Sequence, residues 1–278
     1  MNLSNRILRN FEVSSFIIAP LKTGDSVLGI VGADRLKSSK DLKRRDVEEL
    51  SIFTNTIAET LHKAQLKEEI ETGYLNTVKA LVRAIEEKDA YTRGHSERVS
   101  QLSVRIGCEM GLDQQRLEYL RIGCLLHDVG KIGIAESIVR KPNTLTTSEY
   151  NTIKQHPIKG AEIVKPISFL KNHIYIIRNH HEWYDGSGYP DGLKGDKIPI
   201  EAQIVSVADA FDAITSTRPY RKGVSPQEAL HRITLLTGSQ FSPRVVKAFK
   251  RVYAHLFQSE KGVKNRPMHT VLKSEKVE

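Results

Sequence analysis

Cysteine is nearly absent from this sequence. Only Cys108 and Cys124 occur in 278 residues, both within apolar helical patterns and not as a CxxC pair. A disulfide framework and a zinc ribbon are therefore excluded. Long hydrophobic runs are also missing: no stretch approaches the ~20 apolar residues a membrane helix needs. The N-terminus lacks the charged-then-apolar layout of a signal peptide, so a cytoplasmic protein without a membrane span is expected. Aromatic residues make up only 6% of the chain, with one Trp. Tyr220 alone falls within the basic clusters at 40–45, 218–222 and 261–276, so no stacking platform for a nucleic acid polymer is expected. What is present is an ordinary soluble composition, 39% apolar and 27% charged, with a net charge of +9 that suits an anionic partner.

Two strands are expected first, over 14–21 and 26–34, around the turn Lys22-Thr23-Gly24-Asp25. From about Asp41 the pattern turns helical for roughly 40–50 residues, with a weak point at Gly73. Leu50, Ile57, Leu61 and Ala64 form a coiled-coil-like seam on it, which predicts a dimerising connector that makes a parallel homodimer. From Tyr74 onward helices are expected over 75–88, 96–109, 114–127, 147–155, 157–164, 174–181, 200–216 and 226–236. Ser225-Pro226 and Ser242-Pro243 start the last two. The Gly- and Pro-rich run 185–199 is the one long loop, a place where function concentrates.

Chemistry gathers around Leu125-Leu126-His127-Asp128-Val129-Gly130-Lys131. If this stretch is helical, His127, Asp128 and Lys131 share a face, and an imidazole beside a carboxylate offers nitrogen and oxygen to a divalent ion. His95, His156, His180 and His181 also fall at helix ends. Asp209 lies on the apolar helix 200–216, where a carboxylate needs a cation nearby. Five histidines and two aspartates supply about what two six-coordinate ions require, and a ligand set without thiolate favours iron or manganese over structural zinc. Two ions about 3.5–4 Å apart can share a hydroxide that attacks phosphorus, with Lys131 placed to stabilise the transition state or protonate the leaving oxygen. Arg218 and Arg221 can fork onto phosphate oxygens. Trp183 is expected in the core.

The residues "DAYTRGHSERV", "LLHDVGKIGI", "KPNTLTTSEY", "IKQHPIKGAEI", "RNHHEWYDGSGYPDGLKGDKIP" and "VADAFDAITSTRPYRKG" run in order across 74–255. Together they resemble the HD-GYP domain, the phosphodiesterase branch of the HD superfamily that hydrolyses cyclic di-GMP. The resemblance implies a mainly α, all-helical domain over 74–258, and the basic composition of 259–278 reads as a disordered tail. It implies metal ligands at His95, His127, Asp128, His156, His180, His181 and Asp209, with Asp128 bridging. Catalysis would rest on Asp128 and Lys131, and substrate binding on Gly188, Tyr189, Pro190, Arg218 and Arg221. Some members hold a third ion through an acidic residue one turn before the first histidine; Tyr91 stands there, so two ions are expected, iron first and manganese as the alternative. The implied reaction opens cyclic di-GMP to pGpG and onward to GMP. Hydrolysis of cyclic GMP-AMP, and a non-catalytic module binding nucleotide or a signalling protein, are the alternatives. The N-terminal "LGIVGADR" and "DVEELSIFTNTIAETL" resemble the end of a GAF sensory domain, giving a partial, GAF-like α+β segment at 1–66 and a helical connector at 67–73.

Overall fold

The computed structural model of this chain describes residues 16–34, 42–88, 94–141, 143–217 and 222–258. They form two compact units, one ending at Asn76 and the other beginning at Thr77.

The first unit holds an antiparallel hairpin. Strand β1 (Phe16–Thr23) pairs with β2 (Ser26–Asp34) from Phe16 opposite Asp34 to Thr23 opposite Ser26. Gly24 supplies the left-handed turn residue, at φ 55°. Helix α1 (Arg44–Lys88) follows and runs through Gly73 without a break. Along the seam, Leu50 and Ile57 are half-buried while Leu61 and Ala64 are exposed. Thr54 and Ala58, beside that seam, are the fully buried positions.

The second unit is helical: α2 (His95–Glu109), α3 (Gln114–Leu126), α4 (Glu136–Val139), α5 (Thr147–Ile153), α6 (His156–Val164), α7 (Ile174–Asn179), α8 (Ile200–Thr215), α9 (Pro226–Leu235) and α10 (Pro243–Gln258). Local chemistry sets the starts. Asp113 caps α3 by accepting from the Arg116 amide, Thr146 and Glu149 form a reciprocal capping box on α5, and Ser225 caps α9 ahead of Pro226. α2 packs on α3, α8 and α10. Their apolar faces meet in one core that includes Val99, Leu102, Ile106, Leu120, Val207, Phe211 and Phe249. Burying such side chains contributes about 1.5–3 kcal/mol each. It also fixes the start of α2, the end of α3 and the middle of α8, which carry part of the polar cluster described below.

Two expectations are corrected. The helix does not continue through His127 to Lys131. α3 stops at Leu126, and Val129–Gly133 is a 3-10 segment. The reason is close packing: a Cβ on Gly130 would lie 1.8 Å from the His156 carbonyl oxygen and 2.5 Å from the Gly160 nitrogen. The chain tightens there so that backbone meets backbone. Trp183 is not core. It is 37% exposed at the start of the long loop, which hydrogen-bonds to residues 239–240 instead of folding its indole inward. Among the described residues no helix is long and apolar enough to cross a membrane.

Candidate metal centre

All seven residues expected as ligands come together. Three groupings, His95/His127/Asp209, His127/Asp128/His180 and His156/His180/His181, each place their ligand atoms within 4.8 Å of one another. The groupings share His127 and His180, so they form one continuous cluster. Its members come from the starts of α2 and α6, the ends of α3 and α7, and the middle of α8.

Three of the histidines are held in the same way. The Nδ1 atoms of His127, His156 and His180 face the carbonyl oxygens of Cys124, Ile153 and Ile177 at 2.6, 2.8 and 2.8 Å. Each carbonyl lies three residues earlier, in the last turn of a helix, where acceptors are left open; that of Cys124 also accepts from the His127 amide at 3.4 Å. A carbonyl only accepts, so each Nδ1 donates and Nε2 is the atom each ring turns into the cluster. The Nε2 atom of His127 is buried there with no hydrogen-bond partner. Those of His156 and His180 face each other at 3.3 Å.

Burial pushes the His156 imidazole down to about 4 and that of His181 to about 3, and drives His180 well below its ordinary value. Burial therefore disfavours a proton shared between His156 and His180. Facing lone pairs repel unless a cation lies between them. A separation of roughly 3 Å is what two ligand nitrogens bound at about 2.1 Å to one ion adopt. The donor set thus fits divalent metal ions on its own geometry.

The carboxylates complete the charge pattern. Asp128 Oδ1 lies 3.4 Å from His156 Nε2, and its Oδ2 lies 3.4 Å from His127 Nε2. It faces both ends of the cluster, as a bridging ligand must. Lys131 Nζ donates to Asp128 Oδ2 at 2.7 Å, an i,i+3 contact the 3-10 segment preserves. Burial raises the Asp128 carboxyl, but Lys131 and the surrounding histidines outweigh it and hold the group well below the usual range. Asp209 Oδ1 lies 3.3 Å from His95 Nε2. His95 is opposed by burial, yet Asp209 and Asp212 together lift it to about 10.

Asp212 and Arg98 were not legible as site residues. Asp212, only 1% exposed, accepts from His95 Nδ1 at 2.7 Å and from the Arg98 guanidinium at 2.6 and 3.0 Å. It sets the ring orientation of His95 from outside the cluster. Its place one turn after Asp209 on α8 was the available signal. Lys154 was also missed. It stands two residues before His156, with Nζ 4.8 Å from the Tyr150 ring centroid and 5.2 Å from that of Tyr189.

On the loop, Tyr189 stacks on His181 with centroids 4.9 Å apart and planes 29° apart, and its peptide bond to Pro190 is cis. Gly188 faces inward: a Cβ there would meet the Trp183 nitrogen at 2.2 Å and the His181 carbonyl oxygen at 2.6 Å. Its lack of a side chain is what brings Tyr189 over the cluster. Buried Glu182 folds the loop by accepting from the Asp191 and Leu193 amides at 2.6 and 3.0 Å. Tyr91, Arg218 and Arg221 lie outside the described residues, as does the tail from 259.

A helical unit with histidine and aspartate ligands at helix ends defines a class, and residues 79–245 match the HD domain family. The chain belongs to that family. It is 41% identical over 192 residues to the cyclic di-GMP phosphodiesterase response regulator RpfG of Xanthomonas campestris pv. campestris, covering 68% of this chain and 51% of that protein. It is 38% identical over 229 residues to a cyclic di-GMP phosphodiesterase of Thermotoga maritima, covering 78% of this chain and 61% of that one. Among solved structures, the cyclic GMP-AMP specific phosphodiesterase V-cGAP3 of V. cholerae shares the fold at TM-score 0.52 and 18% identity, covering 70% of this chain and 52% of that one. The chain spans about half the length of the curated relatives it matches.

Proposed function

We propose that this chain is a metal-dependent phosphodiesterase that opens cyclic di-GMP to pGpG, with GMP as the onward product. The observation that carries this is the single buried cluster of five histidines and two aspartates, with the Nε2 atoms of His127, His156 and His180 turned inward. His95, His127 and Asp209 would hold one ion and His156, His180 and His181 a second, with Asp128 between them. Iron is the first choice and manganese the second, because the ligands are imidazole and carboxylate without thiolate. Such ions would supply the positive charge that phosphodiester hydrolysis needs on the reacting phosphate.

The rest falls to the protein's own groups. Lys131 Nζ donates to Asp128, and it would give a proton to the departing ribose oxygen. Gly188, Tyr189 and Pro190 present a flat, fixed surface to the substrate beside His181. Arg218 and Arg221 are assigned to the phosphate oxygens on residue type alone. The domain would run from about residue 74 to 258, fed by a GAF-like segment and a dimerising α1. Exposed Val47 and Leu61 on that helix support a homodimer, and a monomer by light scattering at micromolar concentration would sink it.

The test is to purify the protein without oxygen, load it with Fe(II) or Mn(II), and chromatograph products from cyclic di-GMP and cyclic GMP-AMP separately. The His127→Ala/Asp128→Ala protein is the blank. Metal-dependent pGpG or GMP absent from the blank is expected. Turnover of cyclic GMP-AMP alone would move the substrate assignment, and no turnover of either would reduce the chain to a binding module.

A further inference from the structure

Helix α2 begins on His95, yet its first turn has no cap of its own. The N-cap position is Gly94, at φ 69°, with no side chain to accept from the free amides. A helix start ordinarily satisfies those amides locally, with Ser, Thr, Asp or Asn at the N-cap. Here the acceptor comes from another helix. Glu86, in the last turn of α1 and only 9% exposed, accepts from the Gly94 amide through Oε2 at 2.8 Å and from the Ser96 amide through Oε1 at 3.0 Å. The two amides stand on either side of His95. One carboxylate thus brackets the backbone of the first proposed ligand, while Asp212 holds its ring from α8.

The choice of a remote cap has a physical consequence. A serine or asparagine at the helix start would stabilise α2 equally well and would move with it. A carboxylate on α1 moves with α1. A cavity of about 270 Å³, lined by Lys79, Val82, Glu86, Gly94 and Leu125 among others, lies beside the contact. The same helix end also buries Val78 and Val82, 3% and 5% exposed, and the Glu86 hydrogen bonds add a directed polar tie from it to the start of α2.

We propose that Glu86 is a positioning residue. Its carboxylate fixes the backbone on both sides of His95, and so makes the geometry of the first metal ligand depend on where the last turn of α1 sits. This rests on the metal-centre reading above and adds to it a route by which α1 controls the site.

The experiment is a Co(II) titration of the full-length, metal-free protein, followed by visible d–d absorption, with thermal melting of the same samples. Wild-type protein should bind two ions. Glu86→Ala should weaken one of the two steps about 10- to 100-fold, the range found when an outer partner of a ligand is lost, and leave the other within about 3-fold. Glu86→Gln keeps one carbonyl acceptor and should weaken the same step by less. Unchanged binding in Glu86→Ala would overturn the proposal. So would equal weakening of both steps in both variants in proportion to a lowered melting temperature, which would make Glu86 a plain structural cap. If the wild-type protein binds no Co(II), the metal-centre reading itself fails and the proposal falls with it; binding by wild type alongside an unaffected variant isolates the failure to Glu86.

Discussion

Replacing Asp212 by Asn tests how the site is supported from outside. The substitution keeps shape and one carbonyl oxygen but removes the charge that Arg98 and His95 share. The Arg98 side chain is 19% exposed and Asp212 1%, so solvent screens the pair little. Removing one partner of a buried ion pair costs about 3–5 kcal/mol, most of it from stranding the other charge. Asn still accepts one hydrogen bond, which puts the expected loss near the lower end, about 3 kcal/mol. For a domain of this size that corresponds to a fall in Tm of about 6–12 °C. The assay is calorimetric melting of the metal-free protein at pH 7. Adding Arg98→Met to Asp212→Asn removes the stranded cation and should recover part of the loss, giving a non-additive double-mutant cycle. A fall of less than about 1 °C for Asp212→Asn, or strictly additive effects, would refute the account.

Gly130→Ala should destabilise the second unit by more than about 3 kcal/mol, since its Cβ would collide with the backbone at His156 and Gly160; a soluble variant with wild-type Tm would contradict this. Under native conditions at pH 8 one thiol per chain should alkylate, exposed Cys108, because burial pushes the Cys124 thiol up to about 12; two should react in denaturant. Lys154→Met should raise KM for cyclic di-GMP about 10-fold with kcat near wild type, the loss of one half-buried cation beside Tyr189, while a change confined to kcat would place Lys154 elsewhere. Glu149 accepts from Lys141 Nζ and the Thr146 amide, which draw its carboxyl down to about 2. Its folded value is depressed, so its support for α5 is complete above about 4.5 and is lost as pH falls through about 2. An NMR titration midpoint at the ordinary glutamate value would disprove that.

The helices and the seven clustered residues were legible because each depends on local pattern. His127 and His180 close apolar helices, His156 follows the end of one and His95 opens one. Asp209 interrupts the apolar run of α8. What supports them was not legible. His95 meets Asp212 across 117 residues of sequence, and periodicity holds no information about which distant carboxylate faces which ring. Glu86 carried no signal for the same reason. The 3-10 segment at Val129–Gly133 was missed because its cause, the approach of α6 to Gly130, is tertiary. Trp183 misled through its size: its neighbours commit the chain to the loop before the indole can turn inward.

The carbonyls at Cys124, Ile153 and Ile177 have one more consequence. They belong to the ends of α3, α5 and α7, so the C-termini of three helices converge on the cluster. The peptide dipoles of a helix leave partial negative charge at its C-terminus, felt within the last turn. Part of the field that would hold divalent cations here is therefore carried by main chain and survives any side-chain substitution. A variant lacking one histidine should keep an electronegative hollow rather than a neutral hole, so exogenous imidazole diffusing into it would meet a vacancy already biased toward a cation and its ligand.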